Sequence, residues 1–508
     1  MTTSSDTPRL FGGWTRERFG PFLGLSGRQA AIVALAVVPL LATMAQSRWL
    51  LLAQLTPVSA VVLALTVIPV RRRPAYRWLV DAIWFGVGRA THWSFFRAAV
   101  ATYGPVALDE PDLPGAIADL AFHDGPPFGP FQRRIAVVAE PHHGMWTATA
   151  RVSHPGLGTT SAAEQNRLAT ALGELLGSAA LTRQIARVVV YVRTVPSDGA
   201  ARAAWVDDHR GGNVPPVIEE VGRILEASMT TASVRHELFV TVSVDEVRVR
   251  RQATEAGRGV TGRARVLYRN LETVERSLRD VGATDVEWLT TEQLAEAVRT
   301  GYNPGDLAAF EHARQASARR PDTATGVPLA AAGPTLAPVP SARRYVHDAS
   351  TTVAYALLLP EQSTAVGALG RLLAPSEAGE RRCFALHYEP LDADRARRKV
   401  ETASWAMEIA DEAKQSRGFR VDRRHRRRVA ETATHEDQLA AGHTLVRVAA
   451  AAAVTVPSDW AVEDYAARFE ADGRACGYVP LRADLAQDSA FVAAVLPLGV
   501  GLPKRGDR

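Results

Sequence analysis

Ala30 to Ala45 reads AAIVALAVVPLLATMA, Gln46-Ser47-Arg48 interrupts it, and Trp49 to Val70 reads WLLLAQLTPVSAVVLALTVIPV before Arg71-Arg72-Arg73 closes the stretch. Two apolar runs this close predict a helical hairpin in a membrane. At about 1.5 Å per helical residue the second, uncharged run spans a hydrocarbon layer of about 30 Å; the first is slightly short and is completed by Gln46 and Trp49. Arg9, Arg16, Arg18 and Arg28 precede the hairpin, Arg71, Arg72, Arg73 and Arg77 follow it, and Arg48 alone lies between the runs. This asymmetry places both termini on the cytoplasmic side of the cell (inner) membrane in a multi-pass arrangement. A signal peptide cleaved near Thr43-Met44-Ala45 sits late and leaves the second run unexplained. A buried core hairpin fits a run of this length and lack of charge less well.

On either side of the hairpin the chain reads as membrane surface. Residues 1–29 form a polar, aromatic cytoplasmic segment, residues 30–70 the hairpin (30–46 and 49–70), and residues 71–130 a juxtamembrane aromatic and basic segment with a Pro/Gly-rich loop. Arg71, Arg72, Arg73, Arg77, Trp78 and Trp84 are the expected exit anchors, because arginine and tryptophan favour the headgroup layer. The same interleaving of aromatic and basic residues from Tyr76 to Phe96 suits nucleic acid, but beside a membrane exit it reads as an interfacial helix.

From residue 131 strands and helices alternate. Strands are expected at Ile135–Ala139 and Thr147–Val152 around a Pro141-His142-His143-Gly144 turn, then at Val188–Val192, Leu238–Val244 and Val286–Leu289. Ser161 with Glu164 and Thr290 with Gln293 mark helix starts, and Leu267, Leu271, Val274, Leu278 and Val281 mark a long amphipathic helix stopped at Gly282. Residues 318–342 have linker composition and separate a first module, 131–317, from a second, 343–508. The second is expected to repeat the order: strand Thr352–Leu359, helix Ser363–Leu373, strand Cys383–Tyr388, a helical stretch from Asp392 to about Leu445, a strand ending at Val456, a helix, a short strand near Tyr478 and a last helix. The Ala-rich run Ala449–Ala453 also suits a helix. The expected fold class is therefore mixed α+β and α/β: a transmembrane hairpin followed by two tandem two-layer modules of the split βαβ type.

Composition narrows the chemistry. A chain of 508 residues, 47% hydrophobic, can bury a core; a net charge of +5 suits an anionic membrane face and identifies no partner. The two cysteines, Cys383 and Cys476, fit a reducing compartment and exclude a multi-cysteine metal site. Lysine occurs only at Lys399, Lys414 and Lys504, none in a glycine turn, so there is no P-loop. Gly257, Gly259 and Gly262 have dinucleotide-fingerprint spacing, but Val247–Glu255 separates them from the preceding strand, and the turn reads as a flexible loop. His142-His143, His435-Glu436 and the cluster Asp109, Glu110 and Asp112 read as turn or surface residues. No catalytic, cofactor-binding or metal-ligating residue is assigned, and no cofactor is expected. One charge run stands out: Arg417, Arg420, Arg423, Arg424, Arg426, Arg427 and Arg428 offer either a solvated helix face or a surface for acidic lipid, nucleic acid or an acidic partner.

Five short motifs carry a resemblance: Phe11-Gly-Gly-Trp14, Tyr345-Val-His347-Asp348-Ala-Ser350, Leu372-Leu-Ala-Pro-Ser376, Tyr388-Glu-Pro-Leu-Asp392 and Leu496-Pro-Leu-Gly499. In this order over nearly the whole chain, they resemble an actinobacterial membrane-protein family associated with conjugation and type IV secretion. That layout is similar to a PrgI-like two-helix membrane subunit fused to the amino-terminal domain of a TrbE, CagE or TraC type conjugation ATPase, without the motor domain. The resemblance implies a non-enzymatic scaffold that anchors a separate P-loop ATPase and associates with sister copies in a larger complex. An EccE-like component of type VII secretion shares the two helices and Arg-rich exit. A membrane-tethered enzyme and a nucleic-acid binder using Arg423–Arg428 are the readings from other classes.

Overall fold

The computed structural model describes residues 11–12, 27–70, 73–102, 107–158, 160–196, 206, 209, 211, 214–230, 234–320, 325–392, 394–398, 437–438 and 442–501. Two compact units emerge: residues 14–93 with 394–443, and residues 1–13 with 94–393 and 444–508.

In the smaller unit, α1 (Gly27–Ala45) and α2 (Trp49–Val67) form the expected antiparallel pair, followed by α3 (Ala75–Thr91). Ser47, with φ of 53°, turns the chain between the first two. Helix α2 is apolar on every side, and over its 19 residues it is long and apolar enough to cross a membrane; α1 is the shorter apolar helix. Their contact uses small and hydroxyl side chains, with Ala36, Ser59 and Thr66 buried and Gln29 Nε2 donating to Thr66 O at 3.2 Å. Leu35 is 77% exposed and Leu50 84%, so the apolar surface faces outward, where hydrocarbon rather than protein can cover it.

The larger unit mixes helix and sheet. Its first half contains β1 (Ala121–Phe128), β2 (Arg133–Glu140), β3 (Met145–Ser153), α4 (Ala162–Thr182), β4 (Ile185–Pro196), α5 (Pro216–Thr230), β5 (Val234–Asp245), α6 (Glu246–Glu255), α7 (Gly259–Asp280), β6 (Asp285–Trp288), α8 (Thr291–Tyr302) and α9 (Asp306–Arg319). The second half contains β7 (Tyr345–His347), β8 (Ser350–Leu358), β9 (Arg381–Pro390), β10 (Val446–Pro457), α10 (Val462–Ala475), β11 (Val479–Arg482) and α11 (Gln487–Val495). Local chemistry sets several boundaries. Ser161 Oγ accepts from Glu164 N at the start of α4, Thr290 and Gln293 form a reciprocal capping box on α8, and Gly282, with φ of +100°, ends α7.

All these strands join one 11-stranded sheet in the order β7-β8-β10-β9-β4-β5-β3-β2-β1, with β11 also on β8 and β6 also on β3. Strands β3 and β4 each pair antiparallel with β5, so they run parallel to each other with β5 between them. Strands β8 and β9 stand in the same relation to β10. The halves therefore share one strand order, and they meet where β4 pairs antiparallel with β9 from Val188↔Tyr388 to Arg193↔Cys383.

This seam replaces the separation expected at 318–342. Within that stretch Val327, Leu329, Ala330, Ala332 and Ala337 are buried, and Leu336–Ala337 pairs with Phe96–Arg97, so it packs as core. Alanine and proline there fill small spaces instead of solvating a spacer. The helix expected at Ser363–Leu373 is a series of turns containing Gly367 with φ of +86°. The alanine run in β10 is strand, because Ala449–Ala453 pairs with β9 throughout and, from Ala450, with β8 on its other edge. Of the helical stretch expected from Asp392 to about Leu445, most lies outside the described residues.

Alternating side chains divide the core. On one face a single cluster spans both halves, joining Val189, Tyr191 and Phe239 to Ala354, Cys383 and Ala451 beneath α8 and α11. On the other face α4 and α7 cover the first half and α10 the second. Buried arginines then tie each half to the other. Arg381 of β9 donates to Thr300 O at 2.6 Å and to Gly301 O, satisfying the carbonyl end of α8. Arg187 of β4 donates to Gly499 O at 2.7 Å, and Thr149 Oγ1 of β3 to Pro497 O at 2.7 Å, holding the segment after α11. Burial pushes the Arg381 guanidinium down to about 10, with the neighbouring Arg193 adding to the effect, which leaves it charged at neutral pH. Arg381→Met should orphan the α8 carbonyls and lower unfolding stability by about 2–4 kcal/mol in a denaturant titration. An unchanged midpoint would show that this grip contributes nothing.

Candidate functional site

The expected exit anchors lie at or near α3. Arg71 and Arg72 fall outside the described residues; Arg73 pairs in a two-residue ladder with Val70. Leu79, Val80, Ile83, Trp84 and Val87 follow the spacing of one helix face and are all exposed, Trp84 by 58%. Trp78 is half-buried, and Arg77 Nε donates to Tyr76 Oη at 3.3 Å. At the helix end His92 takes φ of 56°, turning the chain so that Trp93 folds over Gly88 and stacks on Trp84 with ring centroids 6.0 Å apart. A side chain at 88 would occupy the space of the Trp93 indole. The result is a helix bearing an apolar aromatic stripe with Arg77 and Arg89 among its other residues, the composition of an interfacial helix.

In vesicles a cysteine at Ile83 should resist a water-soluble maleimide while one at Arg89 reacts, the native Cys383 and Cys476 being buried. Equal labelling at both positions would contradict a lipid-covered stripe.

The arginine run from Arg417 to Arg428 lies outside the described residues, as does His435-Glu436. The remaining sequence candidates resolve into structure. Gly257 and Gly259, with φ of +132° and +56°, make a tight turn between α6 and α7, and Gly262 lets α7 approach the Ala253 carbonyl; the expected loop is a helix-to-helix corner. His142 pairs with Asp119 at 2.8 Å and His143 with Glu140 at 2.6 Å, both in the exposed β2–β3 turn. Asp112 accepts from Ala99 N at 2.5 Å, which fixes a loop. Among the described residues no group of three or more His, Cys, Asp or Glu has metal-site geometry.

The five weak motifs have definite places in the larger unit. Phe11 exchanges backbone hydrogen bonds with Thr364, both at 2.8 Å, while Gly13 and Trp14 lie outside the described residues. Tyr345 and His347 join Tyr302 and Phe491 in a buried cluster of four rings, His347 lying 4.7 Å from Phe491 and 5.7 Å from Tyr302 between centroids. Asp348 accepts from Thr335 N at 2.7 Å and pairs with Arg299 at 3.0 Å. The carbonyl of Leu372 and the hydroxyl of Ser376 accept from the fully buried Arg382, which also pairs with Glu380 at 2.6 Å and Asp472 at 2.8 Å. Glu389 faces Arg187 at 3.5 Å across the seam, and Leu496 and Leu498 are buried around the gripped carbonyls of Pro497 and Gly499. No protein-family model matches this chain, and no curated protein does.

A cavity of about 360 Å³ opens at one end of the seam, lined by Val195, Asn303, Leu307, Ser350 and Val456 among others. Polar groups of its lining are already engaged: Arg235 pairs with Glu311 at 2.5 Å, and Asn303 Nδ2 donates to Asp306 at 2.9 Å. Sequence reasoning missed this cavity, which no local pattern signals. It also missed the exposed stripe of α5, whose signal was present in the spacing of Val217, Ile218, Val221, Ile224 and Leu225.

Burial holds two histidines neutral. His347 is pushed down to about 3, by burial first and then by Arg381, while its Nε2 lies 2.8 Å from Thr352 Oγ1. His387 is pushed down to about 4, by burial and then Arg187, and its ring N–H donates to Ala493 O at 3.0 Å. Both folded values lie below the unfolded one, so stability is full above about pH 6.5 and falls as the unfolded chain takes up protons the folded chain refuses. Between pH 6.5 and 4 the loss should approach about 1.4 kcal/mol per pH unit for each histidine. His347→Phe should flatten this acid slope in denaturation series run at stepped pH, and an unaltered slope would contradict the assignment.

Proposed function

We propose that this chain is a membrane-anchored, non-enzymatic structural component of a type IV secretion or conjugation-like apparatus, docking a separate P-loop ATPase at the inner face of the membrane. The observation that carries the reading is that one chain holds both a lipid-suited hairpin with an interfacial helix and, as a separate unit, one cross-braced 11-stranded sheet. A membrane anchor and a large braced sheet in one chain suit a protein that holds partners at the membrane. Both halves are read as split βαβ modules, and the support for that is their common strand order, β6-β3-β5-β4 and β11-β8-β10-β9. The hairpin is read as spanning twice with both termini cytoplasmic, on the strength of the arginine asymmetry around it.

The resemblance to conjugation ATPase amino-terminal domains adds a site for the motor. In those proteins a Leu-Pro-Leu-type segment precedes the motor domain, and here Leu496–Gly499 is held against β3 and β4 of the opposite half. A motor seated at that end would bear on the whole sheet. The engaged polar groups of the seam cavity argue for a scaffold over an enzyme.

Purification from native membranes in mild detergent should recover a separate P-loop ATPase with this chain, and ATP hydrolysis should reside in the complex and not in the chain alone. Recovery without any ATPase, or with type VII components only, would overturn the reading.

A further inference from the structure

Every side chain described on α5, from Pro216 to Leu225, is exposed. Val217, Ile218, Val221, Ile224 and Leu225 share one helix face and are 54% to 73% exposed. A helix of 15 residues is marginal in water and takes its stability from packing an apolar face, so this stripe needs a cover.

The spacing of the stripe selects that cover. Reversed about Val221 it maps onto itself, positions 217 and 218 taking the places of 225 and 224. A second α5 laid antiparallel therefore sets Val221 against Val221 on a two-fold axis, with Val217 and Ile218 of one copy meeting Ile224 and Leu225 of the other on either side. Such self-complementarity is what an isologous contact requires. Beside the axis lies Gly222. Glycine inside a helix is destabilising, and no atom among the described residues comes within 4 Å of where its Cβ would stand, so packing within one copy does not account for it. In the antiparallel pair the two glycines face each other and let the backbones approach.

Charge and area agree. Glu219, Glu220 and Arg223 lie off the stripe, and Glu220 pairs with Arg223 at 2.5 Å. The stripe holds no arginine, lysine or aromatic residue, the groups by which α3 suits a headgroup layer. Five side chains so exposed offer about 500 Å² per copy and roughly 1,000 Å² for a pair, the lower bound of a specific interface.

We infer that α5 is the contact of a two-fold dimer of this chain, its apolar stripe packed antiparallel against the same stripe of a second copy. Each copy uses the stripe once, so this pairing closes at two. The inference deepens the scaffold reading and rests on it for the expectation that copies meet. Recovery of an ATPase with a monomeric chain would keep that reading and sink the pairing; a dimer recovered without an ATPase would do the reverse.

The test uses the full chain in detergent, sized by light scattering across a concentration series. Wild type should reach a dimer, and Ile224→Asp, at an exposed position away from the sheet, should weaken association on the order of 100-fold. Cysteine cross-linking under mild oxidation reads the geometry, the native Cys383 and Cys476 being buried. Val221→Cys should link to its own copy. Ile218→Cys alone should not, because about 9 Å of helix offsets it from its counterpart, but it should link when mixed with Leu225→Cys. Monomeric wild type, an unweakened Ile224→Asp dimer, failure of Val221→Cys to link, or self-linking of Ile218→Cys would each overturn the inference.

Discussion

The antiparallel pairing of β4 with β9, clamped by buried arginines, is the constraint on which the larger unit depends. Strand pairing alone leaves a seam between two similar half-sheets. The arginines make it reciprocal: Arg381 of the second half satisfies the end of α8 in the first, and Arg187 of the first half holds Gly499 of the second. The carbonyl end of α8 and the segment after α11 thus each find a partner across the join. Removing a buried guanidinium costs more than the bond it makes, because carbonyls desolvated by folding are left without donors. Arg193 completes the site on its own side, donating to Ala297 O at 2.7 Å and pairing with Glu237 at 2.8 Å. Burial pushes the Glu237 carboxyl up, but the charges of Arg193, Arg151 and Arg235 together with the Arg193 hydrogen bond more than offset this, so its value is lowered and the carboxylate stays ionised.

A second consequence concerns where surfaces are left for partners. The shared face is closed by α8 and α11, and the sheet margins are blunted by Pro126 and Pro127 in β1 and by Pro480 in β11, which suppress further strand addition. Extended exposed apolar surfaces instead lie on helices, on α1, α2 and α3 in one unit and on α5 in the other. The α3 stripe accompanies arginine and aromatic stacking; the α5 stripe accompanies glutamate. Charge thus separates a lipid-suited face from a protein-suited one, although both carry the same helical spacing of apolar residues.

Much of the local structure was legible in the sequence. Val188–Val192 and Leu238–Val244 announce themselves as runs rich in β-branched residues because both faces of those strands are covered, and the Thr290–Gln293 box marks the start of α8 by hydrogen-bond chemistry confined to four residues. The joining of the halves was not legible. Pairing of Val190 with Leu386 links residues far apart in the chain, and neither strand carries a mark distinguishing its partner from another apolar strand. Residues 318–342 misled for a related reason: alanine and proline solvate a spacer or fill a tight core equally well, and only tertiary packing decides. Of the candidate site, the aromatic and basic character of α3 was plain, whereas the fold of Trp93 over Gly88 depends on the positive φ of His92. The α5 stripe begins directly after Gly211-Gly212-Asn213-Val214-Pro215-Pro216, a run whose composition reads as a break and masks the helical spacing that follows.

Native-state hydrogen exchange of the full chain tests the central claim, that the two halves form one cross-braced sheet, most directly. The slowest amides of β4, β5, β9 and β10 should exchange with one common free energy and shift together in denaturant, because neither half can open without orphaning the other's carbonyls. Separate opening of residues 131–317 and 343–508, each with its own free energy and denaturant dependence, would contradict it and return the chain to two independent modules.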